Sequence, residues 1–309
     1  MRVFVAGATG AIGRPLIAQL LAAGHEPTGM TRSAEKADEL RAAGAKAAVC
    51  DALNADALRR VVVEAAPEVL VHQLTDLPKD WSMRYGYGAT SKLRGEVTHT
   101  LIDAAREAGA RRVVAQSIAF MYAPTGEMVK DEDAPTLSGG SGEFAEALAA
   151  TLDLERQVIG AEGMEGLVLR YGFFYGPGTW FAPGTKMARA FRKRRVPIVG
   201  DGAGVFSYIH VDDAASATVA AVERGHTGIY NVVDDDPAPM REWVPAFAEA
   251  VGAKRPRRVP AWLAKLAAGK TTVSAGIEGR GASNAKAKRE LGWQPRYPSW
   301  RQGFREVLG

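Results

Sequence analysis

Short apolar runs rich in β-branched residues alternate along the chain with longer segments whose apolar positions recur at helical spacing. Residues 2–6 (RVFVA) read as a buried strand. Gly7–Gly13 reads as a turn, and Ile12–Ala23 as a helix closed by Gly24, with Pro15 tolerated near its start. The same alternation predicts strands at Glu26–Thr31, Ala47–Cys50, Val69–Gln73 and Val113–Gln116. Helices fall between them at Ala34–Ala43, Asp56–Glu64 and Thr90–Ala108. Tyr122–Gly142, rich in Pro, Gly and acids, reads as a loop, followed by a helix at Phe144–Ile159 and a strand at Leu167–Arg170. Beyond the loop Tyr171–Gly184 come a basic helix (Lys186–Arg195), a strand (Val205–Val211), a helix (Asp212–Glu223), a strand (Gly228–Val232) and a helix (Arg241–Val251). The tail from Lys254 is rich in Pro, Arg and Trp. This pattern predicts an α/β fold, a doubly wound parallel sheet with helices on both faces.

Composition narrows the class. At 309 residues with 47% hydrophobic positions, the chain can bury a sizeable core. A single cysteine, Cys50, excludes intrachain disulfides and cysteine-built metal centres. The five histidines lack metal-ligand spacing, so no metal is expected. Lys+Arg 39 against Asp+Glu 35 leaves +4, an excess that helps attract anionic ligands without implying nucleic acid. The amino terminus enters a core strand with no room for a signal peptide, and no apolar stretch reaches spanning length. The expectation is a cytoplasmic protein with a small-molecule substrate, no membrane or nucleic-acid partner, and at most a second copy of itself in a homodimer.

The strongest chemical signal is Gly7-Ala8-Thr9-Gly10-Ala11-Ile12-Gly13, placed between the first strand and the first helix. Gly7 permits the tight turn, Gly10 lets the backbone approach a pyrophosphate, and Gly13 brings the helix close to the sheet. Phosphates then meet free amides at the positive end of the helix. An ordinary strand–helix turn would use the same glycines, but position and spacing favour a dinucleotide. Residues 1–170 are therefore read as mainly an NAD(P)-binding, Rossmann-type domain. Residues 171–309 are read as mainly a smaller carboxyl-terminal substrate lobe interleaved with it.

Strand two ends Thr28-Gly29-Met30-Thr31-Arg32-Ser33, without the acid that usually accepts from the ribose hydroxyls. Arg32 can instead pair with a 2′-phosphate, so NADP(H) is expected in preference to NAD(H). Asp51 follows strand three, where it can meet the adenine amino group or cap the next helix. Gln73, ending strand four beside His72, can reach a phosphate or ribose.

Several further segments resemble the extended short-chain dehydrogenase/reductase superfamily of NAD-dependent epimerases and dehydratases. They are the glycine loop, Arg170-Tyr171-Gly172-Phe173-Phe174-Tyr175-Gly176-Pro177-Gly178, Tyr208-Ile209-His210-Val211-Asp212-Asp213, and KAKRELGWQP at Lys286–Pro295. The resemblance covers almost the whole chain. It implies a tyrosine and, four residues later on one helix, a lysine that lowers the tyrosine pKa, aided by a serine or threonine. Taking Glu155 as the glutamate that follows that lysine by four, the tyrosine position falls on Ala147 and the lysine position on Thr151. The helper position falls on Ile118, beside Ser117. The chain is thus identified as an atypical member.

Three readings follow. The first is an NADP(H)-dependent oxidoreductase reducing a small, rather apolar metabolite with substitute acid/base groups, for which Tyr122, Ser117 and Tyr175 are the candidates. The second is a non-catalytic NAD(P)-binding sensor or partner-binding protein. The third is an NAD-dependent epimerase or dehydratase of a sugar-like substrate, which is harder to run without a base. Tyr85, Phe173, Phe174, Trp180 and Tyr208 are the candidate substrate contacts, because an apolar or aromatic substrate suits so ring-rich a stretch. The basic cluster Arg189, Arg192, Lys193, Arg194 and Arg195 reads as a solvated helix face or an anion site. Asp234-Asp235-Asp236 reads as a solvated turn.

Overall fold

Four of the five residues of β1 (Arg2–Ala6) are buried, as a strand covered on both faces requires. The computed structural model describes residues 1–78, 86–139 and 141–308, without the side chains of 267–272. After β1 the chain runs α1 (Gly13–Ala22), β2 (Glu26–Thr31), α2 (Ala34–Ala42), β3 (Lys46–Val49), α3 (Ala55–Ala65) and β4 (Val69–His72). Then come α4 (Gly88–Arg94), α5 (Glu96–Glu107), β5 (Arg112–Ile118), β6 (Val129–Lys130), α6 (Glu143–Ile159), β7 (Glu165–Tyr171) and β8 (Phe173–Tyr175). The second half adds α7 (Lys186–Arg192), β9 (Ile198–Val199), β10 (Val205–Phe206), β11 (Tyr208–His210), α8 (Val211–Glu223) and β12 (Gly228–Val232). It closes with β13 (Ala238–Pro239), α9 (Met240–Ala250), β14 (Arg258–Val259), α10 (Ala261–Glu278), β15 (Gly281–Ala282), α11 (Ala285–Leu291) and α12 (Trp300–Leu308).

The main sheet has the order β12-β7-β5-β4-β1-β2-β3, and every pairing in it is parallel. It is the doubly wound arrangement that the alternation predicts. Strand order reverses between β1 and β4, and the crevice beyond their carboxyl ends is where such sheets take a ligand. One apolar layer packs the sheet against α1, α8 and α11, through Leu16, Ile17, Ala217 and Leu291. The other packs it against α3, α5 and α6, through Leu58, Leu101 and Leu154. A third cluster, rich in rings, is the core of the smaller lobe; Phe181 makes edge contacts with Trp243, Tyr208 and Phe247.

The structure departs from the sequence reading where a glycine or a long-range partner overrides local pattern. Gly95 (φ −88°, ψ −81°) breaks the predicted 90–108 helix into α4 and α5. The loop 122–142 contributes β6, which exists only because β15 pairs with it from 152 residues away. The tail from Lys254, for which no element is predicted, carries three helices. The acidic run Asp234-Asp235-Asp236, ahead of that tail, is no solvated turn. Asp234 is buried and accepts from the Trp300 amide at 2.7 Å, Asp235 holds Lys288, and Asp236 holds Arg301. Burial pushes the Asp234 carboxyl well above its ordinary range.

Candidate active site

The glycine loop sits at the carboxyl end of β1, at the point of reversal. Gly7 has φ +94°, and a Cβ there would lie 2.8 Å from the Gln73 carbonyl oxygen at the end of β4. A Cβ on Gly13 would lie 2.3 Å from the Gly7 carbonyl oxygen, so no larger residue fits. No side chain caps α1 at Ile12; Arg14 and Leu16 donate to the Gly10 and Ile12 carbonyls and Pro15 has no amide hydrogen, so the amides of residues 11–13 are the ones left for a ligand. Thr9, Gly10 and Ala11 are not buried and form the rim of this cradle. The Gln73 amide nitrogen donates to the Tyr171 hydroxyl at 3.2 Å, while its buried Oε1 has no partner among the described residues. An open helix end, a glycine-lined approach and an orphaned buried acceptor fit a dinucleotide.

Arg32 is exposed, and its guanidinium lies 3.8 Å from the Asp76 carboxylate. A 2′-phosphate would therefore meet an acid as well as a cation. Asp51 accepts from the Leu53 amide at 3.1 Å, which makes it a turn cap in this structure.

Of the three proposed proton-transfer groups, Ser117 and Tyr122 are held by hydrogen bonds, and the Tyr175 hydroxyl is buried with no hydrogen-bond partner among the described residues. Ser117 is fully buried and donates to Glu155 Oε1 at 2.6 Å. Glu155 also accepts from Arg170 through Nε at 2.8 Å and Nη2 at 2.7 Å. Burial alone would lower the Arg170 pKa, but the Glu155 bonds hold it above its ordinary value. Arg170 Nη1 donates to the Tyr122 hydroxyl at 3.1 Å, and that hydroxyl donates to Asn231 Oδ1 at 2.7 Å. Burial raises the Tyr122 pKa, so the ring carries a neutral, committed phenol. Tyr175 lies in the lobe core with its hydroxyl against Gly303, where a Cβ would approach to 2.2 Å.

The positions that the resemblance assigns to tyrosine and lysine are closed as well. Ala147 and Thr151 are buried; the Thr151 hydroxyl donates to the Ala147 carbonyl and accepts from Arg94 Nη1 at 2.6 Å. His72 Nδ1 accepts from the Leu74 amide at 3.2 Å, which leaves Nε2–H to donate to Thr98 Oγ1 at 3.1 Å. Burial, with the Arg94 charge, pushes its pKa down to about 4, so it is a neutral core histidine.

The candidate substrate contacts divide. Tyr208 is fully buried in the lobe core, and Phe174 is partly buried with its ring tilted against Tyr171. Trp180 ties the two halves together by donating to the Pro78 carbonyl at 2.9 Å. Tyr85 lies outside the described residues. Phe173 is partly buried and gathers further rings. Phe120, 38% exposed, stacks on it with centroids 4.4 Å apart, and Phe206 tilts against it at 5.3 Å. Phe120 and Phe206 were not anticipated. The available signal was a bulky apolar residue two positions past a core strand, where polar turn residues are usual. Arg280 bonds the Glu278 and Gly279 carbonyls through Nη1, and its buried Nε has no partner among the described residues. The next residue, Gly281, packs so closely on Val205 that a Cβ would lie 2.7 Å from it.

Residues 3–232 match the NAD dependent epimerase/dehydratase family, and the chain belongs to it. It is an enzyme of that family, of oxidoreductase character and Rossmann fold. A 3-diazoavenalumate denitrifying reductase from a Streptomyces species is 45% identical, the match covering 98% of this chain and 99% of the relative. A UDP-glucose 4-epimerase from Mycolicibacterium smegmatis is 29% identical over 96% and 94% of the two chains. The solved UDP-glucose 4-epimerase of Thermus thermophilus in complex with NAD is 25% identical. It covers 100% of this chain and 98% of its own, with a TM-score of 0.74.

Two expectations fall here. NADP(H) is not favoured: NAD is the dinucleotide that recurs among the solved relatives, and Arg32 faces Asp76 instead of an open anion pocket. An NADP(H)-dependent reductase of a small, rather apolar metabolite, worked by Tyr122, Ser117 or Tyr175, is not upheld either. The relatives are named chiefly for nucleotide sugars, which are neither small nor apolar; the Ser117 and Tyr122 hydroxyls are bonded within the fold, and Tyr175 lies in the lobe core. Among the described residues no helix is long and apolar enough to cross a membrane, and no cluster of His, Cys, Asp and Glu could hold a metal.

Proposed function

We propose that the chain uses an NAD-type cofactor to replace the diazo group of a flat, conjugated carboxylate with hydrogen. The observation that carries this reading is the stacked Phe120–Phe173 pair, set beyond β5 and β7 beside a helix that has lost its acid–base pair. The shelf suits a planar π-system, and Arg280, whose Nε has no partner among the described residues, is the cation this reading assigns to its carboxylate. The 45% identical relative carries the matching chemistry in its name.

The reaction accounts for the absent tyrosine and lysine. A reduced dinucleotide held at the Gly7–Gly13 cradle would supply a hydride equivalent. Adding it to a cationic diazo group neutralises that group; the carbon–nitrogen bond then breaks, dinitrogen leaves and a carbon–hydrogen bond takes its place. Atoms and charge balance without a proton from the protein. The residues of the chain have only to orient the ring, hold the carboxylate and exclude water. The substrate is a polar ion, and no substitute acid or base is invoked.

A second reading, epimerisation or dehydration of a nucleotide sugar, draws on the names of the more distant relatives. It needs a base, and Ala147 and Thr151 supply none. One experiment separates them. The purified protein is given NADH with a benzenediazonium carboxylate, or NAD with UDP-glucose, and dinitrogen release and sugar conversion are followed. Dinitrogen release faster than the uncatalysed reaction supports denitrification. Conversion of the sugar alone supports the second reading and ends the first. In the same assays Arg32→Ala should leave the ratio of NADH to NADPH affinity within about threefold, since its partner is already a carboxylate.

A further inference from the structure

The most one-sided surface of the molecule lies on the smaller lobe, away from the glycine loop. No Asp or Glu occurs between Glu165 and Asp201, or between Glu249 and Glu278. The two acid-free stretches meet in space. β9 pairs with β14, and Arg194 Nε donates to the Arg255 carbonyl at 3.0 Å. Their meeting brings the segments that carry Arg195, Lys254, Arg255, Arg257, Arg258 and Lys265 together; all six are exposed, and none of these forms an ion pair among the described residues. Cations elsewhere on the surface are commonly matched, as Arg59 is by Glu107 and Arg301 by Glu242.

The first turn of α10 rises from this face. Ala264 anchors it at 6% exposure, while Trp262 is 67%, Leu263 44% and Leu266 79% exposed. Side chains this open stand out from the surface, because walls of a groove would shield them. An aromatic and two aliphatic side chains in one turn, ringed by unpaired cations, have the chemistry of an interfacial anchor. The apolar groups fit below the headgroups, and the indole and cations fit among them.

We propose that this face docks the protein on an anionic lipid surface, with Trp262 and Leu266 inserted and the 254–258 segment against the headgroups. Surface docking needs no spanning helix, and the expectation of no membrane partner rested on spans alone. An acidic protein would have to offer a pocket for a protruding turn as well as complementary charge, so the bilayer is the simpler match.

The test is flotation of the whole chain with phosphatidylcholine vesicles, with and without about one-third phosphatidylglycerol. The expected result is binding to the anionic vesicles only, weakened at least tenfold by about 0.5 M salt. A similar loss is expected from Trp262→Ser with Leu266→Ser, and from Arg257→Ser with Arg258→Ser. Cofactor affinity should stay unchanged in both variants, which shows that they are folded. Failure to float with anionic vesicles overturns the proposal, as does equal binding to neutral ones. Binding that ignores the Trp262/Leu266 change overturns it too, since charge alone, or an acidic partner, would then be the better account of the face.

Discussion

Arg170 grips Glu155 with two parallel bonds, Nε to Oε1 at 2.8 Å and Nη2 to Oε2 at 2.7 Å, and both side chains are buried. The pair joins α6 to β7 beneath the crevice and gathers Ser117 on one side and Tyr122 on the other. Breaking it leaves an uncompensated guanidinium in the core. Glu155→Gln should therefore lower the unfolding free energy by about 3–5 kcal/mol, read from urea denaturation. A change under about 1 kcal/mol would mean that the pair is solvated and the network loose.

Tyr122→Phe distinguishes a structural phenol from a catalytic one. The hydroxyl bonds Arg170 and Asn231 and has no proton to spare, so turnover should stay within about threefold of the parent. Stability should fall by about 1–3 kcal/mol, the cost of leaving two buried polar groups short of a partner. Steady-state kinetics beside a denaturation curve gives both numbers. A hundredfold drop in kcat with stability intact would return Tyr122 to the catalytic machinery.

Gly13→Ala tests the cradle. Its new Cβ would lie 2.3 Å from the Gly7 carbonyl oxygen and 2.5 Å from the Ala8 carbonyl carbon, both backbone atoms that cannot swing aside. Affinity for NADH, by fluorescence titration, should fall at least about tenfold as the helix is pushed from the sheet. Gly88→Ala, at the start of α4 with nothing within 4 Å of its Cβ, is the control and should leave affinity and stability close to the parent.

The βα order was readable because each strand carries its own apolar run and most helices end at a glycine. Gly24, Gly44 and Gly109, all at positive φ, mark three of those ends. The cradle was readable for the same reason: its constraint is local. What escaped is what depends on distant partners. Tyr122 looks like a catalytic residue after a strand until Arg170 and Asn231, 48 and 109 positions away, take its hydroxyl. Tyr175 and Tyr208 lie among conspicuous motifs, yet they are core because α12 packs over them. The acidic run at 234–236 holds that same tail, a role that no spacing within the run reveals.

His72 gives the fold an acid-side dependence. Its folded pKa of about 4 lies below the ordinary 6.5, so between these values the unfolded chain binds more protons. The stabilising contribution is complete above pH 6.5 and is lost as pH falls toward 4, up to about 3 kcal/mol. Urea midpoints measured across that window should fall, and His72→Gln, which can still donate to Thr98, should flatten its share of the slope. An unchanged slope in the variant would place the acid sensitivity in other groups.

Phe120→Ala bears most directly on the substrate. Phe120 is partly exposed and stacks on Phe173, so its removal costs the fold little and the shelf much. A conjugated carboxylate should lose one stacking face, worth about 0.5–1.5 kcal/mol, and KM should rise between about twofold and tenfold. NADH affinity should stay within twofold, because the ring lies beyond β5 and the cradle beyond β1. Phe120→Tyr keeps the face and should restore KM, which a merely space-filling aliphatic such as Phe120→Leu should not. If Leu serves as well as Tyr, the shelf packs volume instead of reading a π-system, and the case for a planar substrate goes with it.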